Sequence, residues 1–244
     1  MESPIVRCEF EEAVATIVMD DGKHNVISPH MLRDLNKALD LAEKKQSVVV
    51  LIGREDVFCA GFDLQILRSG VIDAFKMLCG AFELAYRLLS FPTPVVIACN
   101  GHAIAMGALL LLAGDYRIAP TGPFKIVTNE VAIGLTMPFA AIEICRQRLE
   151  PVHFVRAVLL SEDYTPETAV EAGFLDRVVP GGDLLHEATE VATRLAGLDR
   201  KAHYQTKLRA RHQMLKALRR AIRSDRRDFI IKGTQRVLKK IMSK

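Results

Sequence analysis

The sequence predicts an α/β fold, because buried strands alternate along it with amphipathic helices. Residues 47–53 and 94–99 are continuous apolar runs rich in valine, a pattern typical of strands covered on both faces of a parallel sheet. Over Pro29–Lys45, apolar side chains recur at the spacing of one helix face and charged side chains fill the other. This alternation favours βα units joined by right-handed crossovers.

Weaker patterns define the elements around these strands. Residues 13–19 follow the alternating pattern of a strand and include several β-branched side chains. This predicted strand ends at a turn formed by residues 20–22. The segment 58–64 is predicted to be a loop, and apolar residues at near-helical intervals predict a mainly helical region from there to Leu89. Residues 116–119 predict a third strand after a leucine-rich helix.

The last part of the chain has clear helix boundaries. Thr165 is a good N-cap, Pro166 suits the first helical position, and Gly173 ends the helix that they begin. Residues 178–182 predict a short strand and a turn. From about residue 183 the chain is expected to be wholly helical, in two long segments, 184–198 and 203–241.

Composition restricts the class of protein. The chain has 244 residues, 50% of them apolar and 25% charged, which suits one large globular domain with or without a helical appendage and excludes disordered and collagen-like classes. The apolar stretch 103–113 is too short to span a bilayer, and residues 1–20 lack the pattern of a signal peptide. We therefore expect a soluble, cytoplasmic protein with no membrane partner.

Neither a metal site nor a redox site is expected. The five cysteines are scattered without close pairing, and the histidines lack ligand-like spacing, so reduced, buried thiols are the expected state. The cysteines are Cys8, Cys59, Cys79, Cys99 and Cys145.

Charge is distributed unevenly along the chain. Residues 200–244 contain 16 Lys or Arg and 2 acidic residues, a charge of +14, whereas the rest of the chain carries −10. A solvated helix face is the ordinary interpretation of such a basic run. Binding of RNA or of an acidic partner stays open as an alternative, although nucleic acid is not the expected ligand.

The segment 100–138 carries the strongest indication of chemistry. It combines a strand end, a turn with glycine, a leucine-rich helix and a lone carboxylate, Glu130. The turn offers free backbone N–H groups that suit an oxyanion, and Val131, Ala132 and Ile133 are expected to form an apolar wall beside the glutamate. Together they predict proton transfer next to a carbonyl, with Glu130 as the catalytic group.

Four segments together resemble the crotonase, or enoyl-CoA hydratase/isomerase, superfamily. They are FCAGFDL, PTPVVIACNGHAIAMGALLLLAGDYRIA, NEVAIG with Pro138, and YTPETAVEAGFLDRVVP. The resemblance implies a crotonase (ClpP-like) spiral of ββα units over residues 1–183 and a helical trimerisation or capping region over 184–244. It also implies an acyl-CoA thioester substrate, a homotrimer or dimer of trimers, and no cofactor beyond the coenzyme A of the substrate.

The resemblance assigns roles to individual residues. In the family, two backbone N–H groups hold the thioester oxygen, and the matching positions here are Phe62 and Met106. Asp63 has an alternative role as the cap of the following helix, and Arg54 is a weaker candidate for contacting CoA phosphates. The implied substrate-binding positions are Ala60, Gly61, Asp63, Leu64, Gly107, Leu109, Asn129 and Lys23.

One departure from the family pattern selects among its reactions. Hydratases of the family carry a first glutamate where this chain has Leu109, and a leucine neither positions water nor delivers a proton. Moving a double bond needs only one base, and the chain resembles the single-glutamate Δ3,Δ2-enoyl-CoA isomerases. The sequence thus predicts isomerisation of 3-enoyl-CoA to trans-2-enoyl-CoA. Hydration or other crotonase chemistry, and a non-catalytic acyl-CoA- or RNA-binding protein, remain as alternatives.

Overall fold

A six-stranded sheet forms the centre of the computed structural model, which describes residues 4–69 and 71–242, with the backbone alone at 69, 71, 230 and 232–242. The strand order is β1-β2-β3-β5-β7-β9; β1 and β2 are antiparallel and every later pair is parallel. These strands are β1 (Val6–Glu11), β2 (Val14–Met19), β3 (Val48–Ile52), β5 (Val95–Ala98), β7 (Tyr116–Pro120) and β9 (Arg177–Val179).

A second, smaller sheet lies beside the first. It pairs three short parallel strands in the order β4-β6-β8 within the described residues, and the sequence did not predict it. The segment 58–64, predicted to be a loop, contributes the end of its first strand. The strands are β4 (Asp56–Cys59), β6 (Gly101–Ile104) and β8 (Ile126–Val127).

Helices surround the two sheets, and the capping residues explain where several of them begin. Ser28 accepts a hydrogen bond from the Met31 N–H at the start of the first helix, and Thr165 forms a reciprocal capping box with Thr168. The first helices are α1 (Pro29–Lys45), α2 (Leu64–Ser69), α3 (Val71–Leu89), α4 (Met106–Leu112), α5 (Phe139–Arg148), α6 (Pro151–Leu160) and α7 (Pro166–Ala172).

The chain is helical after residue 183, as predicted, but in three segments. They are α8 (Leu184–Ala196), α9 (Arg200–Ala210) and α10 (His212–Met242). The expected helix 203–241 is interrupted at Arg211, which leaves α-helical geometry between α9 and α10. Helix α8 packs on the central sheet, and α10 packs against α3 and α5. The division at residue 183 stays a prediction.

The core is continuous between these layers. One apolar cluster joins the main sheet to α1, α3, α4 and α5, and a second lies between the sheet and α8. Within the described residues, every helix is too short or too polar to cross a lipid bilayer. The basic side chains beyond Ile231, which the sequence singled out, lie outside the described side chains.

Candidate active site

The small sheet brings three segments of the predicted site to one edge. Its parallel strands all end there: β4 leads into the loop with Phe62, β6 into the turn with Met106, and β8 into the segment with Glu130. The carboxyl ends of parallel strands are where α/β proteins commonly place their ligands. Residues separated by up to 68 positions in the sequence thus meet at one place.

The loop after β4 presents the backbone of Phe62. Phe62 forms an isolated parallel bridge with Ile27, whose N–H donates to the Gly61 carbonyl at 2.7 Å and whose carbonyl accepts from the Asp63 N–H at 3.1 Å. Backbone groups alternate in direction along an extended segment, so the Phe62 N–H points away from Ile27. No hydrogen bond within the described residues uses this N–H.

The turn after β6 is strained. Ala105 has φ 51° and ψ −116°, in a region that L-residues rarely adopt, and it immediately precedes α4. Its N–H donates to the Val127 carbonyl at 2.8 Å. Met106 is the first residue of α4, and its N–H makes no hydrogen bond within the described part of the chain. The unusual backbone angles of this turn thus lie at Ala105, the residue before Met106.

Close packing holds the two donors near each other. A Cβ atom at Gly61 would lie 3.0 Å from the Ile104 carbonyl oxygen and 3.7 Å from the Met106 nitrogen. A Cβ atom at Gly107 would lie 2.0 Å from the Cys59 carbonyl oxygen, so glycine is required there. The loop that carries Phe62 and the turn that carries Met106 are therefore packed closely together.

Glu130 lies in a single helical turn after β8. It is 7% exposed, and its Oε2 atom is buried without a hydrogen-bond partner among the described residues. Burial raises the pKa of the Glu130 carboxyl, and a hydrogen bond from its own backbone N–H offsets part of that effect. A carboxyl group held in this way suits a general acid/base.

The neighbours of Glu130 differ from those that the sequence predicted. Val131 and Ile133 are 44% and 54% exposed, and Ala132 is also exposed, so the expected apolar wall is wrong. In a helical turn, successive residues point in different directions, and adjacency in sequence does not bring these side chains to the carboxyl. The buried thiol of Cys145 on α5 lies close enough for Glu130 to raise its pKa further.

The chain matches a known family over nearly its whole length. Residues 9–242 match the family described as Enoyl-CoA hydratase/isomerase. The chain belongs to the enoyl-CoA hydratase/isomerase family. It is therefore an enzyme of this family, and its fold is the predicted crotonase architecture, which known members share at a TM-score near 0.9.

Relatives carry the names of both reactions. An enoyl-CoA hydratase structure from Mycobacterium ulcerans has 46% identity and a TM-score of 0.89, covering 92% of this chain and 99% of that one. A Mycobacterium tuberculosis structure named as an enoyl-CoA isomerase has 45% identity and a TM-score of 0.87, covering 91% and 97%. Mouse mitochondrial enoyl-CoA delta isomerase 1 is 26% identical over 83% of this chain and 72% of its own length. Hydratase names are the more frequent.

The other predicted site residues of this hydratase/isomerase family member occupy distinct surroundings. Asp63 caps α2, because its Oδ1 accepts from the N–H groups of Gln65 and Ile66 at 2.8 and 3.2 Å. Leu64 is 52% exposed at the start of that helix, and Ala60 is half-buried. Leu109 is 1% exposed, and its N–H donates to the Ala105 carbonyl at 3.2 Å.

Asn129 resembles Glu130 in lacking a partner. Its side-chain Oδ1 atom is buried with no hydrogen bond, and its backbone carbonyl accepts from the Ile133 N–H at 3.2 Å. Two adjacent residues thus have an unpartnered side-chain oxygen after β8. Buried polar atoms without partners are rare and are typical of functional sites.

The basic residues Lys23 and Arg54 lie together beside the first loop. The Arg54 guanidinium donates to the Lys23 carbonyl at 2.7 Å and pairs with Asp20 at 3.3 Å. The next carbonyl along, from His24, accepts from the Ala60 N–H at 3.1 Å. Lys23 is exposed, and its backbone lies beside the loop that carries Phe62.

The described residues contain no cluster of side chains suited to a metal ion. A cleft of about 440 Å³ lies elsewhere, lined by Asp115, His203, Lys207 and Arg211 among others. None of the predicted site residues lines it. This cleft lies at the amino ends of the central strands. Because α/β proteins commonly bind ligands at the carboxyl ends of their strands, the predicted site is the better candidate for chemistry.

Proposed function

We propose that this enzyme converts 3-enoyl-CoA into trans-2-enoyl-CoA. Glu130 removes a proton from C2, the electrons shift through a dienolate, and the protonated carboxyl returns the proton to C4. The observation that carries the proposal is a buried carboxyl with an unpartnered oxygen and a raised pKa after β8. A carboxyl group with a raised pKa can both accept a proton as the anion and donate it back as the acid.

The backbone N–H groups of Phe62 and Met106 support the dienolate step in this proposal. Neither donor is used within the described residues, and the packing of Gly61 on the β6 turn keeps them together. Charge that develops on the thioester oxygen is stabilised by donors already in place. Each such donor is typically worth about 2.7 to 4 kcal/mol of barrier.

Leu109 favours isomerisation over hydration. The family resemblance implies a second acid at that position in two-glutamate hydratases, where it would activate water, whereas the Leu109 side chain is buried and apolar. The isomerase name of a 45% identical Mycobacterium tuberculosis structure agrees with this choice, and another structure of the same protein is named as a probable hydratase. The reaction moves a proton and a double bond with no net oxidation, so the proposal requires no metal or redox cofactor.

Hydration of a 2-enoyl-CoA is the second candidate. Its support is the frequency of hydratase names among relatives of similar identity. A mechanism with Glu130 alone would then have to both position the water and supply the proton. Relatives named carnitinyl-CoA dehydratase, 25% identical, extend the range of reactions within the family.

Self-assembly is part of the proposal, because the face around the site is apolar and exposed. Leu135 and Phe139 are 48% and 51% exposed, and α6 presents four further exposed apolar side chains, Val152, Val155, Leu159 and Leu160. Apolar patches of this kind mark association surfaces. We propose a homotrimer or a dimer of trimers, and light scattering of the purified protein tests it.

Two substrates separate the candidate reactions. Purified protein is incubated with 3-hexenoyl-CoA and, separately, with trans-2-hexenoyl-CoA, and products are identified by chromatography and mass spectrometry. Isomerisation gives the 2-enoyl product at unchanged mass from the first substrate, and the product is lost in Glu130→Gln. Addition of one water to the second substrate establishes hydration instead. Turnover that persists in the variant overturns the role of Glu130.

A non-catalytic protein is tested in the same preparation. If neither substrate changes, binding of a labelled RNA at two salt concentrations decides whether the basic region holds nucleic acid. Binding by lysine and arginine contacts to phosphates weakens steeply as salt rises.

A further inference from the structure

Helix α10 contacts two of the helices around the candidate site, α3 and α5. Its Arg226 side chain donates to Glu83 on α3 at 2.9 Å, and its Phe229 ring lies 5.8 Å from the Phe75 ring of the same helix. Helix α3 follows the loop that carries Phe62. One turn of α10 therefore packs against α3. The same turn also contacts α5, which follows the segment that carries Glu130.

That second contact is made by Asp225. Its two carboxylate oxygens accept hydrogen bonds from the backbone N–H groups of Phe139 and Ala140, each at 2.8 Å. These are the first two residues of α5. Pro138, at the N-cap position, makes no side-chain capping bond, so the carboxylate of α10 takes the place of the local cap. A negative charge is also favourable at a helix N-terminus.

The start of α5 determines where the catalytic segment lies. Residues 130–135 form a closed turn in which the Leu135 N–H donates to the Glu130 carbonyl at 2.8 Å. Only Thr136 and Met137 separate this turn from Pro138. Farther along α5, the buried Cys145 thiol is near enough to Glu130 for the carboxyl charge to raise the pKa of the thiol. A shift of α5 therefore moves both the segment that carries Glu130 and part of its surroundings.

We infer that Asp225 is a positioning residue, which holds the Glu130 carboxyl in its catalytic position by capping α5 from helix α10. The inference rests on the proposed isomerase function for its kinetic consequence. Asp225 touches neither the substrate nor the reacting atoms. Its effect passes through α5 and the turn after β8, and it leaves the oxyanion loop and the surroundings of Lys23 in place.

The kinetic test compares Asp225→Asn with Asp228→Asn. The first variant removes the carboxylate from the cap, and the second removes the same charge from an exposed position three residues later on α10. We expect kcat for 3-hexenoyl-CoA to fall about 10- to 100-fold in Asp225→Asn, as for a small misplacement of a catalytic group. KM should stay within about twofold, and Asp228→Asn should match the wild type in both. Equal kinetics in the two variants, or a rise in KM alone, overturns the inference.

Amide hydrogen exchange tests the inference without depending on turnover. We expect faster exchange of the Leu135, Phe139 and Ala140 amides in Asp225→Asn and unchanged exchange in Asp228→Asn. If wild-type protein lacks isomerase activity, the proposed function fails and exchange still decides whether Asp225 orders the segment. Unchanged exchange at those amides overturns the positioning role. If Asp225→Asn does not fold, Asp225→Glu, which keeps the carboxylate on a longer side chain and displaces the cap, takes its place in both measurements.

Discussion

Glu130 and Asp115 are carboxylates with opposite surroundings at opposite ends of parallel strands. Asp115 precedes β7, and its oxygens accept from the Val95 N–H at 2.8 Å, the Lys207 ammonium at 2.6 Å and the Arg211 guanidinium at 2.8 Å. Glu130 follows β8 and keeps one buried oxygen without a partner. The Asp115 carboxylate therefore has hydrogen-bond partners where it joins structural elements, whereas the Glu130 carboxyl lacks one where chemistry is proposed.

The pKa directions follow this contrast. Burial raises the pKa of Glu130, and no cation among the described side chains offsets it. At the other end, burial lowers the pKa of Lys207 to about 8, although Asp115 acts in the opposite direction. Charges crowded around Asp115 contribute to holding α9 and α10 against the core. The raised pKa of Glu130 is consistent with the acid/base role proposed for it.

The largest expected effect comes from neutralising the unpartnered carboxyl. Glu130→Gln should lower turnover of 3-hexenoyl-CoA by about 10²- to 10⁴-fold, the usual contribution of general acid–base catalysis. This corresponds to roughly 3 to 5 kcal/mol of barrier. The free energy of unfolding at neutral pH should not fall, because no ion pair is lost.

Glu143→Gln is the matched control for that substitution. Glu143 lies on α5 and pairs with Arg146 at 3.7 Å, so its replacement changes an ordinary surface charge. We expect Glu143→Gln to turn over 3-hexenoyl-CoA at the wild-type rate. Steady-state kinetics and urea unfolding of both variants make the comparison, and a Glu130→Gln enzyme with more than a tenth of wild-type turnover would refute the acid/base role.

The second-largest effect is expected on stability, at Asp115, the carboxylate that has hydrogen-bond partners. Asp115→Asn leaves the Lys207 and Arg211 charges without their carboxylate, and the free energy of unfolding should fall by about 3 kcal/mol. Asp183→Asn, at an exposed position without a capping bond, should change it by less than about 0.5 kcal/mol. Urea unfolding measures both. A loss below about 1 kcal/mol in Asp115→Asn would contradict the structural role assigned to that cluster.

The sequence predicts the large central elements because their patterns are long. Helix α1 begins and ends where periodicity and capping place it, and the predicted strand 47–53 contains β3. The small sheet was missed because its strands have four, four and two residues, and each pairs with a segment more than 20 positions away. Patterns this short do not reveal pairing that depends on the rest of the fold.

Prediction of the site divides in the same way. The residues of the segment 100–138 were enough to suggest Glu130 as a candidate. The choice of Phe62 and Met106 depended on the resemblance to a family. The strain at Ala105 left no signal, because alanine carries none of the preference for positive φ that glycine shows. Cys145 lies 15 residues from Glu130, and only the fold of α5 brings it to the carboxyl.

A smaller effect tests the close packing at the catalytic end. In Gly107→Ala the new Cβ atom would lie 2.0 Å from the Cys59 carbonyl oxygen, so the backbone must move. We expect a loss of about 1 to 3 kcal/mol in the free energy of unfolding, together with reduced turnover. In Gly181→Ala the nearest atom is 3.9 Å away, and neither quantity should change. Equal behaviour of the two variants would contradict the packing of α4 on β4.

The last prediction uses pH to distinguish the two carboxylates. The ordinary pKa of Glu130 is 4.5, and burial raises it in the folded state. Above pH 4.5 the unfolded chain releases this proton while the folded chain keeps it, so the folded state binds more protons. Stability of the wild type therefore falls as pH rises through that interval, and Glu130→Gln lacks this contribution.

The free energy of unfolding of Glu130→Gln minus that of the wild type should accordingly increase from about pH 5 and level off above the folded-state pKa. The slope should be no steeper than about 1.4 kcal/mol per pH unit, the limit for one proton. Urea unfolding of both proteins across this range measures it, with Glu143→Gln as the reference that should follow the wild type. A constant difference would show that folding leaves the pKa of Glu130 unchanged, and one that decreases with pH would show that Glu130 gains a partner in the folded protein, as Asp115 does.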